Sequence, residues 1–129
     1  LADNKYVMEY SDIFDKISIS VIKESDILPA PAQGILCAEY ANDDMAEILE
    51  KIQDKECESL FAAERRYLSV LQADCHTSAG ISISSASEKY SIKAYFDGKY
   101  MEADNIEKTL ENLLMSVEEL AGKLKRENV

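Results

Sequence analysis

The 129-residue sequence has no tryptophan, one histidine (His76), two prolines, four glycines and only three arginines, Arg65, Arg66 and Arg126. Each scarcity excludes something. Without clustered Lys and Arg there is no means of neutralising a row of phosphates. With 25 acidic against 14 basic side chains and a net charge of −11, nucleic acid is an unsuitable partner. The same balance makes this stretch by itself a poor cradle for a polyanion, and it reads first as a solvated acidic surface that keeps a domain in solution. No apolar run approaches the ~20 residues of a membrane helix, so no membrane is expected and the protein reads as cytoplasmic. The chain opens at Leu1 with no secretory-type leader behind it, and it is read as a piece of a longer protein. Cys37, Cys57 and Cys75 are odd in number, widely spaced and without a CxxC pair. That set fits neither a disulfide framework nor a zinc site, and no metal is expected. His76 follows Cys75 directly, and adjacent residues rarely face one another as a nucleophile and its base must.

What remains is 47% hydrophobic and 30% charged, enough for one packed core. Residues 17–22 (ISISVI) and 35–40 (ILCAEY) read as strands, joined by the stiff, turn-rich LPAPAQG. From Asp43 the period becomes helical, with Met45, Ile48, Leu49 and Ile52 on one face and Asp44 with Glu47 resembling a capping box. A second helix, from about Asp54 to Gln72, carries Cys57, Leu60, Phe61, Leu68 and Leu71 as its apolar stripe. At 100° per residue, Glu64 falls in the middle of that stripe, Arg65 on its flank and Arg66 opposite. A carboxylate on an apolar face needs a partner. Either it is a structural Glu satisfied by backbone amides or Arg65, or it shapes the loop that holds Cys75.

Beyond Gly80 the pattern has period two: Ile81 and Ile83, then Tyr90, Ile92, Ala94 and Phe96, then Tyr100, with Asp97-Gly98 as a strong hairpin signal. Helical spacing returns from Asp104 through Ile106, Leu110, Leu113, Leu114, Val117, Leu120, Ala121 and Leu124. Lys123, Lys125 and Arg126 sit where the helix dipole favours cations. The expected fold is α+β, a three-stranded antiparallel sheet with helices packed on one face over residues 54–129, preceded over 1–53 by strand, connector, strand and short helix.

Two segments carry a resemblance. LPAPAQG at 28–34 running into ILCAEYANDD at 35–44 is similar to the Leu-Pro-Ala-x-x-Gln-Gly signature of the porphobilinogen deaminases (hydroxymethylbilane synthases). AAERRYLSVLQADCHTSAG at 62–80 resembles that family's Ala-Glu-Arg helix, its Leu-Glu-Gly-Gly-Cys loop and the Gly that opens the next strand. The match spans nearly all of residues 8–126. It implies a transferase of haem and corrin biosynthesis that assembles porphobilinogen into hydroxymethylbilane. It also implies that residues 1–53 are the remnant of domains 2 and 1, and 54–129 the cofactor-carrying C-terminal domain. Cys75 then anchors a dipyrromethane cofactor through a thioether, a reaction suited to a soft thiolate nucleophile. Arg65 matches the arginine associated with that cofactor and suits pyrrole carboxylates. Gln33 and Gly34 lie where the chain passes between domains, as site residues or as a plain connector. The implied partners are porphobilinogen and linear pyrrole intermediates. The family's catalytic aspartate falls outside these residues, so no catalytic residue is assigned, and the fragment alone is expected to be inactive, with residues 1–41 poorly supported and open to pairing with another copy in a non-native dimer.

Three positions depart from the pattern: Ala73-Asp74 replaces Gly-Gly, Ser78 stands where a proline is usual, and Ala41 stands where an arginine is common. An acid at Asp74 would raise the pKa of a neighbouring thiol and repel a carboxylated cofactor. The alternative reading is therefore a noncatalytic small-molecule-binding or interaction module of the same fold that has lost the cofactor.

Overall fold

The period-two segments form one open sheet in the computed structural model, which describes residues 20–74 and 76–126. β1 (Ala79–Ala86), β2 (Lys89–Phe96) and β3 (Lys99–Glu107) pair antiparallel in the order β1-β2-β3. Asp97 and Gly98 both take positive φ, 46° and 88°, which is the type I′ turn that matches strand twist. Register puts Ile81 opposite Ala94, Ile83 opposite Ile92, and Ala94 opposite Met101, so one face of the sheet is apolar. That face carries the helices.

Helix α1 (Asp43–Glu50) precedes α2 (Lys55–Leu71), and α3 (Leu110–Arg126) follows the sheet. Asp54 caps α2 by accepting from the amides of Glu56 at 2.9 Å and Cys57 at 3.0 Å. α2 packs on α3 and β1, and α3 packs on β2 and β3. Between these layers lie the largest fully buried side chains, Tyr67, Ile81, Ile92, Leu113, Val117 and Leu124, with Leu114 packed against them. The Tyr67 hydroxyl donates to the Tyr95 carbonyl at 2.7 Å, which satisfies the one polar atom this ring brings inside; burial pushes its pKa well up. Lys125 reaches from the end of α3 to the carbonyl of Val70 at 3.2 Å and to the Gln72 side chain at 2.9 Å, closing the C-terminus of α2.

Several expectations change. The buried face of α2 is centred on Ala63, Tyr67 and Leu71: Leu71 is buried as expected, but the face is rotated from the predicted stripe, and Leu60, Phe61 and Leu68 are only half-buried. A stripe drawn through the largest aliphatics missed a small residue that lets α3 approach and a tyrosine whose hydroxyl finds a partner. α3 starts at Leu110, not Asp104, because β3 continues to Glu107 through a bulge: Ser91 faces both Asp104 and Asn105, between the pairs Ile92–Ala103 and Tyr90–Ile106. Asn105 takes the left-handed conformation there, φ 61°, which asparagine tolerates.

In the N-terminal segment, α1 begins at Asp43 with Asn42 at its cap and no side-chain capping bond, in place of the expected box from Asp44. The predicted strand at 35–40 does not form, and of residues 17–22 the described part, 20–22, is not strand either; 17–19 lie outside the described residues. A strand exists only with a partner for its amides and carbonyls, and no described segment pairs with these. Cys37, expected to be buried in a strand, is consequently exposed. The apolar face of α1 is uncovered too, with Met45, Ile48 and Ile52 exposed.

Candidate functional site

Leu28–Gly34 is where the two sequence motifs meet. β1 is an edge strand, and an open edge leaves amides and carbonyls unpaired. The segment before α1 covers that edge. On the sheet face away from the helices, Glu24 accepts from the Ser82 hydroxyl at 3.0 Å and pairs with Lys93 at 3.8 Å. Leu28 then lies on Gly80, and the Pro29 carbonyl accepts from the Ile81 amide at 3.1 Å. Ala30 to Gln33 form a turn closed by the Gln33 amide donating to the Ala30 carbonyl at 3.2 Å, with Pro31 at the second position and Ala32 at the third with φ 64°. That is a type II turn with alanine where glycine is usual, a choice that costs roughly 1–2 kcal/mol.

What holds Ala32 is Glu64. Its carboxylate accepts the Ala32 amide across 32 residues of sequence. Burial raises the Glu64 carboxyl above the usual glutamate range, and the Ala32 amide pulls it back in part. Of the two partners named for a structural Glu here, the backbone amide is the one observed; Arg65 is not its partner among the described residues. The amide belongs to the other motif, which no spacing rule could have disclosed.

The bond brings Gln33 and Arg65, each one residue further along, to the same junction. Both are exposed. Arg65 makes no ion pair among the described residues, whereas Arg66 pairs with Glu118 on α3 at 2.7 Å. In a chain of net charge −11, a guanidinium left open to solvent is free for an external carboxylate.

Past α2 the chain turns through Gln72, whose φ of 57° makes a left-handed cap, and enters the loop to Ser78. Cys75, the expected cofactor anchor, lies outside the described residues. Its neighbours form a tight turn: the Thr77 amide donates to the Asp74 carbonyl at 3.1 Å, while the Asp74 carboxylate accepts from the His76 amide at 2.9 Å and the Thr77 hydroxyl at 2.8 Å. Those contacts, the Thr77 hydroxyl first, hold the Asp74 carboxyl below the usual aspartate range. Asp74 is thus engaged in closing the turn. Asp-x-x-Thr is a turn signature in its own right, and it is the local signal in the sequence that marks this turn. Cys57, expected on the core stripe of α2, is half-buried.

A cavity of about 650 Å3 opens beside the loop exit, lined in part by Leu28, Ser78, Gly80 and Tyr100, with Glu24 and Asp26 making it acidic. Another, of about 550 Å3, lies between residues 35–40, α1 and the start of α2, and takes in both Cys37 and Cys57. Neither is lined by Gln33 or Arg65. Among the described residues no group of three His, Cys, Asp or Glu could hold a metal ion, and no helix is long and apolar enough to cross a membrane.

No protein-family model matches the chain. Similar curated proteins include the porphobilinogen deaminase of Clostridium novyi (strain NT), 40% identical over 65 residues, which are 49% of this chain and 22% of that protein. The porphobilinogen deaminase of Fusobacterium nucleatum is 29% identical over 103 residues, 74% of this chain and 35% of its own length. That of Exiguobacterium sibiricum is 38% identical over 61 residues, 46% of this chain and 20% of its own length. Across about half to three quarters of its length, then, the chain is similar to porphobilinogen deaminases, and it spans about a fifth to a third of theirs.

Proposed function

We propose that this chain is the C-terminal, cofactor-carrying part of a porphobilinogen deaminase, a transferase that builds hydroxymethylbilane from four porphobilinogens on a dipyrromethane primer attached to Cys75. Residues 54–129 are the cofactor domain, and residues 1–53 are segments that complete the two domains before it. The observation that carries the reading is the Glu64–Ala32 bond, because it joins the two segments on which the resemblance rests and sets Gln33 and Arg65 at one junction. There the Arg65 guanidinium takes an acetate or propionate of the primer in bidentate fashion, and the Gln33 amide adds a neutral contact. The primer itself supplies the electron-rich pyrrole that is extended. The general acid and base work falls to residues beyond this chain, which spans only part of the relatives it matches.

The second reading, a noncatalytic module of the same fold, rested on Asp74. The contacts of its own turn hold that carboxylate in the charged form, so its repulsion of a carboxylated cofactor remains the specific argument for this second reading. The test is porphobilinogen consumption by the full-length gene product, by its Cys75→Ser variant, and by the 129-residue chain. The proposal expects turnover by the first and none by the other two. Turnover by the chain alone, or a Cys75→Ser variant as active as its parent, would overturn it.

A further inference from the structure

We infer that Glu64 is a positioning residue, a latch whose carboxylate clamps the Leu28–Gly34 connector to α2 and so fixes where Gln33 stands relative to Arg65. The connector is pinned upstream by contacts that do not involve Glu64: Glu24 with Lys93 and Ser82, Leu28 on Gly80, and the Pro29 carbonyl on the Ile81 amide. Downstream the grip ends. Gly34 takes φ 85°, Leu36 is 99% exposed, and residues 35–40 pair with no described strand. The Glu64–Ala32 bond is therefore the last clamp before the chain leaves the domain, and it holds the turn at the one residue in it whose left-handed φ belongs to neither glycine nor asparagine.

Glu64 lies part-way onto the face of α2 that carries Ala63, Tyr67 and Leu71, so its half-buried carboxylate has given up part of its water and the Ala32 amide replaces some of it. Release of the clamp frees Pro31 to Gly34 while the upstream pins and the helix-on-sheet core remain. The latch deepens the proposed function and rests on it only for what Gln33 and Arg65 hold; the clamp is a statement about the chain alone.

The test is residue-resolved amide hydrogen exchange on the 129-residue chain. In Glu64→Ala, exchange at Ala32 and Gln33 is expected to quicken roughly tenfold or more, the size of a lost bond to a charged acceptor, while amides in the middle of α3 and β2 keep their parental rates. Glu64→Gln retains an acceptor oxygen at the same reach and should stay near the parent. Glu64→Asp keeps the charge but draws the oxygen back by one methylene, so it should resemble Glu64→Ala. It also serves if the alanine variant fails to fold. Parental exchange at Ala32 in either Glu64→Ala or Glu64→Asp overturns the latch, and so does a uniform acceleration that includes α3 and β2, which would make Glu64 a general stabiliser. Exchange needs no pyrrole. A chain that shows the local pattern but never acquires a pyrrole adduct keeps the latch and loses the cofactor reading.

Discussion

A Cβ built on Gly80 would stand 2.9 Å from the Leu28 Cβ and 3.3 Å from the carbonyl oxygens of Leu28 and Pro29. None of these is the far end of a flexible side chain, so Gly80→Ala must push the connector off β1. We expect a loss of about 1–3 kcal/mol in denaturant unfolding, typical of an overpacked contact, together with faster exchange at the Ile81 amide. A neutral variant would show that the connector does not lie on β1. Asp74 gives a pH signature. Its carboxyl is a stronger acid in the folded state than in the unfolded chain, so folding favours the charged form. The stabilisation of the turn is then complete above the ordinary aspartate range and is lost as pH falls below it, through the folded-state value. Amides of His76 and Thr77 should lose protection on that descent and in Asp74→Ala at neutral pH. Protection unchanged by acid would assign the turn to its backbone bond alone.

The elements differ in how far the sequence disclosed them. The sheet was legible because strict alternation from Ile81 to Phe96 and Asp97-Gly98 act locally, within a few residues of what they specify. The length of β3 was not, because Ile106 fits the α3 stripe as well as it fits the strand, and the bulge at Asn105 that keeps it opposite Tyr90 leaves no periodic mark. The strand expected at 35–40 fails for a nonlocal reason, since its apolar run has no pairing partner among the described residues. Leu113 is where the helical and sheet patterns agree. It is fully buried between α3 and the sheet, and Leu113→Ala should cost about 2–5 kcal/mol in denaturant unfolding. A cost below about 0.5 kcal/mol, the range of surface positions, would contradict the packing of α3 on β2 and β3.

For the molecule as a whole, the candidate site was legible as two motifs but not as one place. Glu64 stood out as a charge on an apolar face, and a backbone amide was named as one of its possible partners. That the amide is Ala32, so that the connector wraps the edge of β1 and ends at α2, is a tertiary fact that neither motif contains. The central claim is that the loop between α2 and β1 carries the pyrrole primer on Cys75. Trypsin, cutting after Lys and Arg, separates the three thiols, since Cys37, Cys57 and Cys75 fall in the peptides 24–51, 56–65 and 67–89. The direct measurement is a tryptic mass map of the full-length protein made in cells that synthesise porphobilinogen, beside its Cys75→Ser variant. The account predicts a dipyrromethane mass increment on peptide 67–89 alone, absent from the variant. An unmodified peptide 67–89, or an increment on 24–51 or 56–65 that survives the substitution, would contradict it.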